Sequence, residues 1–340
     1  MLEKPNIPDE LIISHLQDEY EIRGSELNFR PSGDLNAAAY RVLTDNGLTY
    51  FLKLRKGFDE IAVTVPLFLK SQGIEAVIIP CETKSKRHWV GFGDYKIILY
   101  PFVDGRDGFE MELSDKHRRI LGAELKRIHT TKIPPDLKRL VPRETYSPRW
   151  REIIRSLQVQ AENNFFHDSI VARLAEFIKS KRDEITHLVE RAEQLSLELQ
   201  SQPSELVLCH TDIHGRNILI GDNNKLCIVD WDNPILAPKE RDLMFIGGGI
   251  DQIWKSEREE AIFYEGYGKT EINLSALAYY RYERIIQDVA DYGEQVLLGE
   301  KDIAEREQFY KYFTINFAPG TRLKIARKTD ELLMNNSLVE

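Results

Sequence analysis

The residues with the clearest chemical potential lie in two short segments in the second half of the chain. Asp212 and Asn217 stand five positions apart on a predicted loop between two short strands, and Asp230 and Asp232 follow the next strand. Phosphoryl transfer needs one carboxylate to accept or orient the proton of the acceptor hydroxyl. It also needs a carbonyl oxygen and a second carboxylate to hold magnesium on the nucleotide phosphates. We therefore predict Asp212 as the catalytic base or orienter. The predicted metal ligands are Asn217, Asp230 and, as a helper, Asp232, while His210 is expected to brace the loop by hydrogen bonds.

The spacing of these residues resembles the HxDxxxxN loop and the later metal-binding aspartate of the protein-kinase-like superfamily. Within it, both segments resemble the aminoglycoside phosphotransferase and choline kinase family. Residues 144–153, 237–249 and 263–268 resemble the branch of that family that acts on spectinomycin-like aminocyclitol antibiotics, and the similarity runs from about residue 1 to about residue 315. The resemblance implies transfer of the γ-phosphoryl group of ATP, with Mg²⁺, to a hydroxyl of such an antibiotic, giving resistance. The sequence does not decide between ATP and GTP.

The resemblance also implies a nucleotide site in the first hundred residues. Lys53 lies on the predicted third strand, where its ammonium group would hold the nucleotide phosphates. The helix that follows should offer a carboxylate to position this lysine. Glu60 is the preferred candidate, and Asp59 and Glu75 are the alternatives.

Two further stretches are predicted to contact the nucleotide. Ser32, Gly33 and Asp34 lie in the turn between the first two strands and would cover the phosphates. That turn has one glycine and lacks the GxGxxG pattern, so a plain β-turn is the open alternative. Tyr100 and Phe102 flank Pro101, where a hinge between lobes would pair its backbone with adenine.

The acceptor pocket is expected between the catalytic loop and the C-terminal helices. A dicationic acceptor needs carboxylates there, and the helix predicted over 275–298 has an acidic flank that includes Asp288 and Asp291. Trp231 could provide an aromatic wall for an ammonium group. A solvated helix face and core packing are the open alternatives for these residues. By analogy with the family, Asp242 is expected to brace the helical lobe and not to bind the acceptor.

Composition narrows the class of protein. The chain of 340 residues is 42% hydrophobic, and 46 Lys and Arg against 55 Asp and Glu give a formal net charge of −9. This composition excludes disorder across the whole chain and argues against a nucleic-acid partner, whereas a cationic small molecule suits the negative field. The three cysteines form no CxxC pair, and neither a signal-peptide pattern nor a membrane-length apolar stretch is seen. We expect a cytoplasmic protein that does not associate with membranes.

The elements that must position these residues predict an α+β, protein-kinase-like two-lobe fold. Up to about residue 100 the pattern is that of an antiparallel sheet with an Asn46-Gly47 hairpin turn and one inserted helix. Beyond it the chain is mostly helical, with a compact set of short strands at 206–209, 218–220 and 226–229 that includes a catalytic β-hairpin. We predict an N-terminal nucleotide-binding lobe over 1–103, a hinge at about 100–105, and a C-terminal lobe over 106–340. The final 20 or so residues are not assigned.

Several other functions fit parts of the pattern. Choline, homoserine or sugar-type metabolites could be acceptors, and a kinase-like scaffold could bind nucleotide without transferring phosphate. His210, Asp212 and His214 could instead ligate a metal for hydrolysis, although their spacing suits a helix and they follow a strand. The Asp230-Trp231-Asp232 segment is also a DxD of the kind that glycosyltransferases use, but those enzymes expect alternating strands and helices upstream.

Overall fold

The computed structural model describes residues 4–31, 36–202, 204–248, 253–297, 302–318, 320 and 322–337. The chain forms two compact units. The first, here the strand unit, contains residues 1–141 and 213–234, and the second, the helical unit, contains residues 142–212 and 235–340. The chain therefore passes from one unit to the other immediately after Asp212. The division into lobes at residues 103 and 106 stays a prediction.

The helices and strands follow in chain order. The strands are β1 (Gly24–Arg30), β2 (Ala37–Thr44), β3 (Thr49–Arg55), β4 (Val90–Phe92), β5 (Tyr95–Pro101), β6 (Gly105–Asp107), β7 (Val207–Cys209), β8 (Ile218–Gly221), β9 (Leu226–Ile228) and β10 (Ile235–Ala237). The helices of the strand unit are α1 (Asp9–Tyr20), α2 (Ile61–Ser71), α3 (Asp115–Thr130) and α4 (Pro135–Leu140). Those of the helical unit are α5 (Arg149–Asn163), α6 (Ser169–Ser180), α7 (Arg182–Gln200), α8 (Glu240–Leu243), α9 (Glu257–Tyr267), α10 (Leu274–Leu297), α11 (Ile303–Ile315) and α12 (Arg322–Ser337).

The main sheet of the strand unit has five antiparallel strands in the order β1-β2-β3-β5-β4. The predicted hairpin turn joins β2 to β3, with Gly47 at a φ of 81° and Asn46 Oδ1 accepting the N–H of Leu48. Helix α1 buries Ile12 and Leu16 in the same core as residues of β2, β3 and β5. Because β3 has a neighbour on each side, the side chains on its faces are held in fixed directions.

The short strands divide between the units. Strands β6, β8 and β9 form an antiparallel sheet in the strand unit, while β7 pairs with β10 in the helical unit. The three strands predicted at 206–229 are present, but they do not form one sheet. Residues 76–79 form no strand, and a single bridge joins Val77 to Ile228.

Helix α10 is the central helix of its unit and contacts α5, α6, α7, α8, α11 and α12. Its buried side includes Ile285, Ile286 and Val289. Helices α6 and α7 follow each other directly and meet at Lys181. Helix α12 lies in the C-terminal region that was left unassigned. The antiparallel N-terminal sheet and the helical C-terminal part confirm the predicted α+β fold class. Among the described helices, none combines the length and the apolar character needed to cross a membrane.

Candidate active site

Strand β3 presents Lys53 to the two aspartates that follow β9. Lys53 Nζ lies 2.7 Å from Asp230 Oδ1 and 2.5 Å from Asp232 Oδ2. The ammonium group has little exposed area, so these two carboxylates offset the cost of burying its charge. The structure thus brings three residues predicted from distant parts of the sequence into one cluster.

A second cation of this cluster was missed by the sequence interpretation. Arg55 lies two residues after Lys53, on the same face of β3, and forms an ion pair with Asp232. The alternation of a strand would have been enough to find it, because positions 53 and 55 must point the same way. Asp232 is therefore held by two cations.

The backbone at Asp230 has an uncommon conformation. Its φ is 68°, in the left-handed region that costs a residue with a Cβ about 1–2 kcal/mol. The next residue, Trp231, is buried, and its Nε1–H donates to the carbonyl oxygen of Ile228 at 3.2 Å. The indole thereby anchors the turn that presents Asp230. This burial favours core packing, the alternative that the sequence left open, and the role of Trp231 as a wall of the acceptor pocket stays a prediction.

Asn217 closes a short turn of 3-10 helix over Gly215–Asn217. Its carbonyl oxygen accepts the N–H of Val229 at 3.0 Å, which ties the start of β8 to the end of β9. Its side-chain Nδ2 lies 3.4 Å from His214 Nε2. Asn217, Asp230 and Asp232 offer one amide and two carboxylate groups, and Mg²⁺ prefers such oxygen ligands. By the chemistry of their donor atoms, these residues fit a magnesium ion.

In the helical unit, Asp212 is held by its side chain and by its backbone. Its Oδ1 accepts a hydrogen bond from Arg284 Nη1 at 2.8 Å, and its N–H donates to His210 Nδ1 at 3.2 Å. The residue before it, Thr211, has a φ of 77°. The loop thus fixes the direction of a carboxylate that is still about one-third exposed.

Asp242 lies beneath this loop. It is fully buried, and its two oxygens accept the backbone N–H groups of His210 and Thr211 at 2.9 and 2.6 Å. A buried carboxylate with two such donors is a rigid support. These bonds suit the bracing roles predicted for Asp242 and His210.

Asp288 lies one helical turn after Arg284 on α10. Its Oδ1 is 3.2 Å from Arg284 Nε, and its Oδ2 is 2.6 Å from Arg322 Nη1 on α12. Burial opposes the charge of Arg284, but the carboxylates of Asp288 and Asp212 outweigh it and raise its pKa. Asp288 is thus engaged by two arginines, and its role as an acceptor ligand stays a prediction. Asp291 is partly exposed on the same helix.

The residues predicted to bind the nucleotide differ in their surroundings. The N–H of Phe102 donates to Thr49 at 3.3 Å, and Tyr100 lies on β5, where burial raises its pKa to about 12. Glu60 immediately precedes α2 and is exposed, and within the described ranges its carboxylate forms no ion pair with Lys53. Helix α2 therefore does not supply the partner predicted for that lysine.

The predicted phosphate-covering turn consists of Ser32, Gly33 and Asp34. These three residues lie outside the described part of the chain.

Known proteins resemble this chain over most of its length. The profile of the phosphotransferase enzyme family matches residues 29–271. Spectinomycin phosphotransferase, solved in complex with ADP and spectinomycin, is 37% identical, with coverage of 96% of this chain and 99% of that one and a TM-score of 0.89. Its AMP-bound complex gives 38% identity, coverage of 93% and 97%, and a TM-score of 0.83.

A more distant structure shares the fold alone. Choline kinase LicA from Streptococcus pneumoniae is 13% identical, with a TM-score of 0.60 and coverage of 94% of this chain and 99% of that one. The family profile matches well over half of the chain, which confirms the predicted family and enzyme class. The chain therefore belongs to the phosphotransferase enzyme family and is an enzyme that transfers phosphoryl groups.

Proposed function

We propose that this phosphotransferase transfers the γ-phosphoryl group of ATP to a hydroxyl of an aminocyclitol of the spectinomycin type and so confers resistance to it. The observation that carries the proposal is the 37% identity, over nearly the full length of both chains, to an enzyme solved with ADP and spectinomycin. The chain also carries carboxylate, amide and lysine groups of the kinds that the reaction needs, which supports the proposal.

The residues of the strand unit would bind the nucleotide. Magnesium held by Asn217 and Asp230 would neutralise charge on the nucleotide phosphates. Lys53 would add its own charge there, because its ammonium group already lies among carboxylates that can fix its direction. Asp232 keeps Lys53 and Arg55 in place. Catalysis by this part of the site is positioning and charge stabilisation.

Asp212 would act on the acceptor. Its carboxylate orients the hydroxyl and takes its proton as the hydroxyl oxygen bonds to the γ-phosphorus. The bond from that phosphorus to the bridging oxygen breaks at the same time, and ADP leaves with the electron pair. The proton passes from Asp212 to solvent after the product departs.

A cationic acceptor suits the surroundings of α10. The rings of Phe309 and Tyr312 lie 6.1 and 5.4 Å from that of Tyr292, one turn after Asp288. Burial and the charge of Asp288 raise the pKa of Tyr292 against the opposing charges of Arg322 and Arg284, so its hydroxyl stays protonated and its ring neutral. Aromatic faces beside carboxylates attract ammonium groups, such as those of an aminocyclitol. We propose these rings and Asp291 as part of the acceptor site.

The test is a mass-spectrometric transfer assay on the purified full chain with Mg²⁺ and either ATP or GTP. The acceptors are spectinomycin, several aminoglycosides, choline and homoserine, and the products are scored for the added mass of one phosphoryl group. We expect product with spectinomycin and ATP. Product with another acceptor alone would overturn the antibiotic assignment, and nucleotide binding without any product would favour the scaffold.

A matched pair of variants ties the result to the site. Asp212→Asn should lower turnover by about 10³-fold while ADP binding persists, because it removes the proton acceptor. Asp222→Asn makes the same change at an exposed aspartate after β8 and should leave turnover unchanged. Normal turnover in Asp212→Asn would contradict the mechanism.

A further inference from the structure

A chain of alternating charges runs from the catalytic loop to the C-terminal helix. Asp212 is bound by Arg284, Arg284 lies against Asp288, and Asp288 is bound by Arg322 of α12. All four residues belong to the helical unit. The family profile ends at residue 271, so α10 and α12 both lie beyond the matched region.

We propose that Arg284 is a positioning residue for Asp212, and that Asp288 and Arg322 hold Arg284 in the orientation that this requires. The inference rests on the proposed function, in which Asp212 handles the proton of the acceptor. It adds that the catalytic carboxylate is aimed by a helix that follows it by about sixty residues or more, and not by its own loop alone.

The contacts of Arg284 support a positioning role. The guanidinium group is planar and presents its donors in a fixed fork, so one hydrogen-bonded carboxylate and a second in an ion pair with another nitrogen restrict its orientation. Nη1 of Arg284 donates a hydrogen bond to Asp212, and its Nε forms an ion pair with Asp288. The guanidinium carbon also lies 5.6 Å from the centre of the Phe245 ring, which limits its movement on another side. Because Arg284 is restrained in this way, its hydrogen bond also limits the movement of the Asp212 carboxylate.

Charge balance explains why both arginines are present. Two buried or partly buried carboxylates beside one arginine would leave an unpaired charge, and Arg322 removes that imbalance at Asp288. Arg284 can then direct a full hydrogen bond to Asp212. The arrangement would have little purpose for stability alone, because an apolar cluster of the same size is often at least as stable as a buried ion-pair network.

The test compares Arg284→Met, which removes the charge at similar length, with Arg284→Lys, which keeps it. A misplacement of about 1 Å can cost about 10²-fold in rate. We therefore expect Arg284→Met to lower kcat by about 100-fold and to change the KM for ATP by less than about threefold. Arg284→Lys should recover at least about tenfold of the lost kcat.

Two more variants separate positioning from folding. The double variant Asp288→Asn, Arg322→Gln removes one negative and one positive charge together and leaves Arg284 its partner Asp212, so the midpoint of thermal unfolding should stay near that of the parent, while kcat should fall because Arg284 loses the groups that hold it. Arg322→Gln leaves Arg284 in place and should lower kcat by about threefold to tenfold. The effect is smaller because only the contact between Arg322 and Asp288 is lost, while Arg284 keeps both of its aspartates.

The outcomes distinguish this inference from the proposed function. If Asp212→Asn abolishes transfer but Arg284→Met and the double variant keep a kcat within about threefold of the parent, the positioning role is wrong and the function stands. If Arg284→Met lowers the thermal midpoint and its kcat returns to the parent value when it is assayed well below that midpoint, Arg284 serves stability only, and the inference is again wrong. If Asp212→Asn itself keeps full activity, the proposed mechanism fails first.

Discussion

Two regions of the molecule use the same order of charges. In the strand unit, Lys53 bridges Asp230 and Asp232, and Arg55 lies behind Asp232. In the helical unit, Arg284 also lies between two aspartates, with a hydrogen bond to Asp212 and an ion pair with Asp288, and Arg322 lies behind the second of them. Each cluster therefore has a first carboxylate, a bridging cation, a second carboxylate and a supporting cation.

The two carboxylates of each cluster differ in exposure. The side chain of Asp230 is 43% exposed and that of Asp232 is 12% exposed, while Asp212 and Asp288 are 35% and 10% exposed. The more exposed member of each pair is the more accessible to a ligand, and the other is the more enclosed by its cations. Acidic residues that look equivalent in the sequence thus differ in burial.

The largest expected effect is at the exposed carboxylate of the strand unit. Asp230→Asn should lower turnover by about 100- to 1000-fold, because one charged ligand on the phosphate side is lost. It should also raise the Mg²⁺ concentration for half-maximal activity by at least about tenfold, in a titration at saturating ATP. The control is Asp222→Asn, and an unchanged Mg²⁺ requirement would contradict the assignment of Asp230 as a metal ligand.

The buried partner should behave differently. Asp232→Asn leaves Lys53 and Arg55 without their shared anion and should reduce the free energy of unfolding by about 3 kcal/mol, since breaking a buried pair strands its partner. The measurement is denaturant unfolding beside Asp230→Asn, which should cost less because that side chain is more exposed. Equal losses of stability in both variants would show that the carboxylates of Asp230 and Asp232 contribute equally to folding.

The sequence predicted the strand-unit cluster well because its members follow simple spacing. Asn217, Asp230 and Asp232 flank two strands that are adjacent in the chain, so local pairing brings them together. Lys53 could be matched to a known pattern on a central strand. Arg55 was missed even though strand alternation would have placed it beside Lys53.

The helical-unit cluster could be predicted only in part. Asp212 was found from its loop, but Arg284 was not, because its contact with that loop depends on how α10 packs against the rest of the unit. The i,i+4 spacing of Arg284 and Asp288 was the available signal. This spacing indicated that Asp288 pairs with Arg284, whereas the acidic flank of the helix suggested a carboxylate available to bind the acceptor. Helix α12, which supplies Arg322, lay in the part of the chain that was not assigned.

The contact that joins α10 to α5 predicts how the stability of the protein depends on pH. Glu283, beside Arg284 in the sequence, is buried and accepts a hydrogen bond from Arg151 Nη1 at 2.6 Å, which joins α10 to α5. Burial raises the pKa of Glu283 to about 7, although Arg151 and Arg241 favour its charged form and Glu144 opposes it. The folded protein thus binds this proton more tightly than the unfolded chain does.

The sign of the pH dependence follows from that difference. The contribution of Glu283 to stability is complete below its unfolded pKa, near 4.5, and is lost as the pH rises through about 7. We expect the thermal midpoint of the parent to fall relative to that of Glu283→Gln between about pH 5 and pH 8. Parallel curves for the two proteins would show that Glu283 is already ionised in the folded state across this range.

The smallest expected effect concerns Glu60, the residue predicted to position Lys53. Its carboxylate is exposed and forms no ion pair with Lys53 among the described residues, whereas Asp232 holds that lysine at 2.5 Å. Glu60→Gln should therefore change kcat and the KM for ATP by less than about twofold, as expected for an exposed side chain. Asp232→Asn, assayed beside it, should raise the KM for ATP clearly, because Lys53 loses its firmest partner. If Glu60→Gln were the more damaging of the two, the nucleotide-bound enzyme would have to exchange the partner of Lys53, and the shared order of charges in the two units would hold only without nucleotide.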